Sequence, residues 1–99
     1  MKKTFALAQE GKQPDRLRDA IKNDIRKYIK RERSRALPKG IDFWDFDCRI
    51  GATEPESAMA HVAELNGLVD SVALAGSAAV YVEILAKHGH RKARTSTPL

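Results

Sequence analysis

The chain has little of what would anchor it in a membrane or hold it together covalently. Cys48 is the single cysteine among 99 residues, so no disulfide can form within the chain. No apolar run approaches the roughly 20 residues that a membrane-spanning helix needs. The first apolar stretch, residues 5–8, is well short of the about 7 to 15 residues typical of a signal peptide. These absences predict a cytoplasmic protein without a membrane partner.

The sequence also lacks the motifs of common active sites. It contains no glycine-rich phosphate loop, no nucleophile elbow and no paired CxxC. Asp45 and Asp47 share one face of a predicted strand, but two carboxylates supply too few ligands for a divalent cation. His88 and His90 are likewise fewer than the three or four ligands of a zinc site. We therefore expect a protein that is not an enzyme and holds neither a metal nor a cofactor.

What the chain does have is enough apolar material for one small core. Apolar residues make up 42% of the sequence and charged residues 31%, a composition typical of a globular domain. At this length only one domain is expected, and we assign it to residues 1–90. Residues 91–99 combine basic and small polar residues, which predicts a disordered basic tail.

The charges are strongly segregated along the chain. Residues 12–39 contain eleven Lys or Arg against four carboxylates, whereas residues 40–83 contain eight carboxylates against a single Arg49. A basic segment of this kind is typical of proteins that bind nucleic acid or another anionic surface. The acidic segment lies in the same small domain, so it is expected to neutralise part of the basic one.

Hydrophobic periodicity predicts five secondary-structure elements. Alternation of apolar and polar residues indicates strands, and apolar residues at steps of three and four indicate helices, the first of which opens at Pro14. The predicted strands cover residues 2–9, 42–51 and 80–87, and the predicted helices cover residues 15–36 and 64–75.

Residues 52–63 allow two interpretations. Thr53 and Glu56 match a capping box that would open a longer helix, whereas residues 59–63 would suit the return strand of a hairpin. The hairpin gives a ferredoxin-like βαββαβ order, and its absence gives βαβαβ. Both are two-layer α+β sandwiches with two helices on one face of a small sheet. We favour the hairpin, with Trp44 and Phe46 facing the helices.

Four segments of the chain resemble a family of small, uncharacterised bacterial proteins of unknown function. These segments are Met1–Phe5, Ile25–Arg33, Phe43–Cys48 and Tyr81–Lys87. The resemblance implies a bacterial protein with one stand-alone domain. It implies no activity, because such a family supplies no catalytic residues that could be carried over to this chain.

The first helix carries the strongest functional signal, a basic face. Its cations recur at steps of four, four, four and three residues, which keeps them on one side of a helix. The face consists of Arg18, Lys22, Arg26, Lys30 and Arg33, with Lys27, Arg31 and Arg35 beside it. This pattern predicts a non-enzymatic module that binds RNA or DNA through phosphate contacts. The competing interpretation is a solvated helix face without a partner.

A protein-interaction module is the alternative function. Parity places Phe43, Tyr81 and Leu85 on the sheet face opposite the helices. An open sheet face with apolar side chains is a surface that proteins often cover by homo-oligomerising or by receiving another protein. Asp45 and Asp47 on the same face disfavour nucleic acid there, so nucleic acid is expected to contact the helix.

Overall fold

The computed structural model describes residues 1–90, and its elements follow the order βαββαβ. The elements are β1 (Lys2–Ala6), α1 (Pro14–Arg33), β2 (Phe43–Gly51), β3 (Ala58–Ala60), α2 (Leu65–Leu74) and β4 (Ala79–Gly89). A short 3₁₀ turn, Val62–Glu64, leads into α2. The two-layer α+β fold is confirmed, and β3 resolves the ambiguous region in favour of the hairpin. The tail predicted at residues 91–99 lies outside the described residues.

The four strands form one open antiparallel sheet in the order β1-β4-β2-β3. Because β4 pairs antiparallel with both β1 and β2, the strands β1 and β2 run in the same direction with β4 between them. By the same reasoning, β3 and β4 run in the same direction with β2 between them. Each helix therefore connects two strands that are separated by a third.

The core lies between the two helices and one face of the sheet. On α1, isoleucines spaced four residues apart form a buried stripe, as expected for an amphipathic helix. The sheet contributes alternate residues of β2 and β4, which confirms the predicted parity. The principal core side chains are Ile21, Ile25, Ile29, Phe46, Cys48, Ile50, Leu65, Val69, Val80, Val82 and Ile84.

Trp44 marks the point where α1 ends above the sheet. Its ring is half-buried against the core, and its indole Nε1–H donates to the carbonyl oxygen of Arg35 at 3.0 Å. The helix ends at Arg33, three residues before the predicted end. Ser34 caps it and also donates its hydroxyl to the Lys30 carbonyl oxygen at 2.8 Å. Arg35 consequently lies in the loop that follows the helix.

The predicted capping box at Thr53 forms only one of its two hydrogen bonds and opens no helix. The Thr53 hydroxyl donates to Glu56 at 2.8 Å and accepts from the Glu56 backbone at 3.4 Å, which closes a turn between β2 and β3. Arg49 fixes the far side of this turn by donating to the Ser57 carbonyl oxygen at 2.6 Å. These local bonds hold the chain in a tight hairpin that leads directly into β3.

β2 extends well beyond the short strand that pairs with its outer edge. β3 pairs only with residues 48–50 of β2, although β2 begins at Phe43. The backbone N–H and carbonyl of Ile84 in β4 bond to Met1, on the side away from β2. Because bonding direction alternates along a strand, the odd-numbered residues of β4 bond to their odd-numbered partners in β2. The backbone groups of the even-numbered residues of β2 therefore point away from β4. Phe46 is one of these residues, and its N–H donates to the Asp45 carboxylate at 2.8 Å. The Asp45 side chain thus occupies a donor on the uncovered edge.

Candidate nucleic-acid interface

The predicted basic face lies on the flank of α1 that borders α2, and one acidic residue of α2 divides it. Lys22 donates to one carboxylate oxygen of Asp70 at 2.8 Å, and the Arg18 Nε atom lies 3.4 Å from the other. Arg18 also pairs with Asp15 one turn earlier on α1. These two cations are half-buried and paired with carboxylates, so they are poorly placed to contact phosphates.

The second half of the face has no such partner. Within the described part of the chain, Arg26, Lys30 and Arg33 have no carboxylate oxygen within 4.0 Å. Arg26 donates only to the neutral side chain of Asn23, at 2.9 Å. The Arg33 guanidinium lies over the Phe46 ring, 5.5 Å from its centroid, which leaves its charge uncompensated. Three cations of the predicted five are therefore available to an anionic ligand.

These three cations line a groove of about 540 Å³ between α1 and the start of α2. The two helices run antiparallel here, because Lys22 contacts Asp70 whereas the later turns of α1 face His61 and Asn66, which come earlier in the chain than Asp70. Apolar side chains complete the groove on both sides, namely Ile25, Ile29, Val62 and Ala63. None of the ten residues that line it is acidic. We call this feature the cationic groove.

His61 contributes a hydrogen-bond donor to the wall opposite α1. Its Nδ1 atom accepts from the Ala63 backbone N–H at 3.1 Å, which makes Nε2 the protonated nitrogen of the neutral ring. Glu64 is turned back to accept from the His61 backbone N–H at 2.9 Å. This reciprocal capping box holds the Glu64 carboxylate at the His61 backbone, and Glu64 does not line the cationic groove. Sequence reasoning missed His61 and Asn66, although the spacing of His61 and Glu64 fits a capping box.

The remaining cations predicted for the interface lie elsewhere. Arg31 is on the other flank of α1, with its guanidinium 5.3 Å from the centroid of the Tyr28 ring. Arg35 pairs with Glu32 at 2.7 Å and lies over the Trp44 ring at 4.7 Å. Lys27 is exposed toward β1 and lines a separate shallow cleft. The structure therefore brings together three of the eight predicted residues and disperses the other five.

The open face of the sheet carries a balanced set of charges. Asp47 accepts from Lys87 at 2.7 Å, and this contact raises the pKa of Lys87 above its ordinary value. The Tyr81 hydroxyl donates to Glu83 at 2.7 Å, and that hydrogen bond raises the pKa of Tyr81 to about 12. Across residues 1–90, no group of three His, Cys, Asp or Glu side chains is placed to hold a metal ion.

Cys48 lies in the core and is a weak nucleophile. Burial and, to a smaller extent, the nearby carboxylates of Asp47 and Asp45 raise the pKa of its thiol to about 11. Because the thiolate is the reactive form of cysteine, little of it exists at neutral pH. The buried thiol instead packs as a small apolar group.

Neither helix in the part of the chain described by the structure has the length and apolar character required to cross a membrane. This finding agrees with the charged flanks of α1 and the short length of α2.

The chain matches the model of a protein family over almost its whole length. A family model described as "Family of unknown function (DUF6172)" covers residues 1–95, which is almost the whole chain. No curated protein and no solved structure matches the chain. The predicted resemblance to a family of unknown function is therefore confirmed.

Proposed function

The chain belongs to DUF6172, a family of unknown function, and we propose that this member is a non-enzymatic nucleic-acid-binding module that uses the cationic groove and the exposed cations around it. The phosphates of RNA or DNA would contact Arg26, Lys30 and Arg33. Phosphate contacts position a protein on nucleic acid without reading its sequence, so little sequence selectivity is expected.

The absence of carboxylates from the cationic groove is the observation that supports this proposal. Three cations on one helix flank, spaced by about one turn each, extend over about 10 Å along the axis. Their charges are not compensated by the protein among the described residues, whereas those of Arg18 and Lys22 are compensated by Asp70. A solvated helix face needs no groove lined in this way, and for this reason we favour a ligand.

The exposed position of these cations predicts strong salt dependence. Each phosphate that a lysine or arginine neutralises releases counterions, so affinity falls linearly on a logarithmic scale as salt rises. Fluorescence titration of the full chain with mixed-sequence RNA and with duplex DNA, at about 50 mM and 200 mM salt, measures this slope.

A double variant tests whether the cationic groove is the site. Arg26→Gln with Lys30→Gln removes two charges while keeping good helix formers at both positions. For duplex DNA we expect affinity at low salt to fall about tenfold and the salt slope to become shallower by about 1.8, which is the loss of two phosphate contacts.

The control is Lys12→Gln with Arg16→Gln, which removes the same charge from exposed positions near the start of α1. These changes are expected to alter affinity less than threefold, on the order of a screened long-range effect. Equal losses in the two variants would mean that net charge alone drives binding. No binding by the unaltered chain at low salt would overturn the proposal.

The open sheet face supports a second candidate, a protein-interaction or homo-oligomerising module. Phe43, Leu85 and Met59 are 40%, 41% and 78% exposed at separate positions of the sheet, whereas Tyr81, predicted to be exposed there, is buried. Exposed apolar side chains on an open sheet are often buried at a protein interface. Sedimentation would then give a mass larger than that of one chain, and this mass would depend little on salt.

A further inference from the structure

We propose that the cationic groove binds the terminal phosphomonoester of a nucleic-acid strand in preference to the phosphodiesters within it. This inference rests on the proposed function, because it specifies which part of the nucleic acid the same site accepts. Charge, the closed end of the groove and its apolar surface each support it.

The charge of the cationic groove exceeds what one phosphodiester requires. A diester carries one negative charge, whereas a terminal monoester carries about 1.5 to 2 at neutral pH. Arg26, Lys30 and Arg33 place three positive charges around one cavity, and His61 adds an N–H donor from the other side. A dianion with three terminal oxygens uses more of these donors than a diester with two.

One end of the cationic groove is closed to a continuing strand by Asp70. A strand that followed the seam between the helices toward the start of α1 would leave Lys30 and Arg26 and then meet the carboxylate of Asp70. Its phosphates would find Arg18 and Lys22 already paired there. The favourable path therefore extends from the groove in one direction only, which suits the end of a strand.

The apolar part of the cationic groove suits the first nucleoside. Its volume of about 540 Å³ falls within the roughly 300–1,000 Å³ typical of sites for small ligands. Ile25 and Ile29 on one side and Val62 on the other offer apolar surface next to the cations. A sugar and base can cover this surface while the phosphate contacts Lys30 and Arg33.

The test compares oligonucleotides that differ only at their ends. Single-stranded RNAs of about eight nucleotides carrying a 5′-phosphate, a 3′-phosphate or hydroxyls at both ends are titrated into the full chain by calorimetry. We expect at least one phosphorylated end to bind about tenfold more tightly than the unphosphorylated strand. The two phosphorylated strands distinguish a 5′ end from a 3′ end. In the Arg26→Gln, Lys30→Gln variant the preference should fall to less than about twofold.

The possible outcomes separate this inference from the proposed function. Equal, salt-dependent affinity for all three strands would refute the preference for a terminal phosphate and leave the proposed function standing. Lack of binding to every strand, together with binding of a nucleoside monophosphate that the variant loses, would refute the proposed function and retain a phosphomonoester site. Lack of binding to every strand and to the mononucleotide would overturn both.

Asp70→Asn tests the closed end independently. The substitution keeps the size of the side chain, removes its charge and releases Lys22, whereas Arg18 keeps its pairing with Asp15. We expect affinity for the unphosphorylated strand to rise about threefold, because one more phosphate gains a partner, while affinity for the phosphorylated strand rises less. A preference for the phosphorylated end that is unchanged in Asp70→Asn would show that Asp70 does not define the end of the site.

Discussion

Cys48 shows how a single buried side chain links stability to pH. The thiol is 2% exposed, and burial together with the carboxylates of Asp47 and Asp45 raises its pKa from 9.0 to about 11. Between these values the folded chain keeps the proton while the unfolded chain releases it, so the free energy of unfolding falls as pH rises. The loss attributable to Cys48 should reach roughly 2–3 kcal/mol by pH 11.

Comparison with Cys48→Ala isolates this effect from other titrating groups. Urea denaturation of both proteins at several pH values from 8 to about 11 gives the difference in their free energies of unfolding. We expect the advantage of the cysteine protein to shrink as the pH rises. Parallel pH curves would mean that the thiol does not titrate differently in the two states.

Substitution by alanine is expected to have opposite effects on stability at two glycines, Gly51 and Gly67. A Cβ on Gly51 would lie 2.7 Å from the Ser57 Cα atom in the turn after β2, and backbone cannot move aside cheaply. We expect Gly51→Ala to destabilise the fold by about 1–3 kcal/mol. Gly67 lies in α2 with open space around it, so Gly67→Ala should stabilise by about 0.5–1 kcal/mol. Thermal denaturation measures both, and a shift of the same sign in the two variants would contradict the argument.

At the scale of elements, α1 depends on one stripe of isoleucines. Ile25 is central in that stripe and 2% exposed. Replacing it with alanine leaves a cavity beneath the helix, which should cost about 2–5 kcal/mol of unfolding free energy. Lys27→Ala, at an exposed position on the same helix, is the matched control and should change stability by less than about 0.5 kcal/mol. Denaturant titration distinguishes them, and similar midpoints would exclude Ile25 as a principal core residue.

The elements that could be predicted from sequence are those whose burial is periodic. β2 alternates between the core and the open face over its whole length, and α1 repeats its apolar residues each turn. Sequence favours β3 over a longer helix only through the topology of the hairpin, because β3 has three residues and Met59 at its centre is exposed. Its position is set by the hydrogen bonds of the preceding turn, which a periodicity argument does not detect.

The candidate site was predictable only in part, because its limits depend on contacts between distant residues. The spacing of cations along α1 correctly placed five of them on one flank. The pairing of Lys22 with Asp70 joins residues 48 positions apart, and no local pattern indicates it. The wall of the cationic groove formed by His61 and Asn66 likewise depends on how α2 packs against α1.

Across the whole molecule, folding balances part of the charge that is segregated along the chain. Asp45 and Asp47 of the acidic segment lie on the open sheet face, away from the cationic groove. Asp70 reaches the basic flank of α1, and it neutralises only the first half of that flank. The three cations of the cationic groove, which have no carboxylate partner in the described part of the chain, leave a local positive field there. Such a field increases the rate at which anionic partners associate.

The uncovered edge of β2 has a consequence for solubility. An unpaired strand edge is a template on which other chains can add strands and aggregate. Asp45 protects this edge from pairing, because its carboxylate accepts the hydrogen bond of the Phe46 N–H and places a negative charge beside the strand. Asp45→Ala should therefore form fibrils or amorphous aggregates several times faster on incubation, as followed by light scattering. Asp47→Ala, which removes a carboxylate paired with Lys87 on the sheet face, is the matched control. Equal aggregation rates of the two variants would show that Asp45 does not protect the strand edge. A carboxylate that contributes nothing to the ligand site would on this view determine the concentration at which the protein remains dispersed.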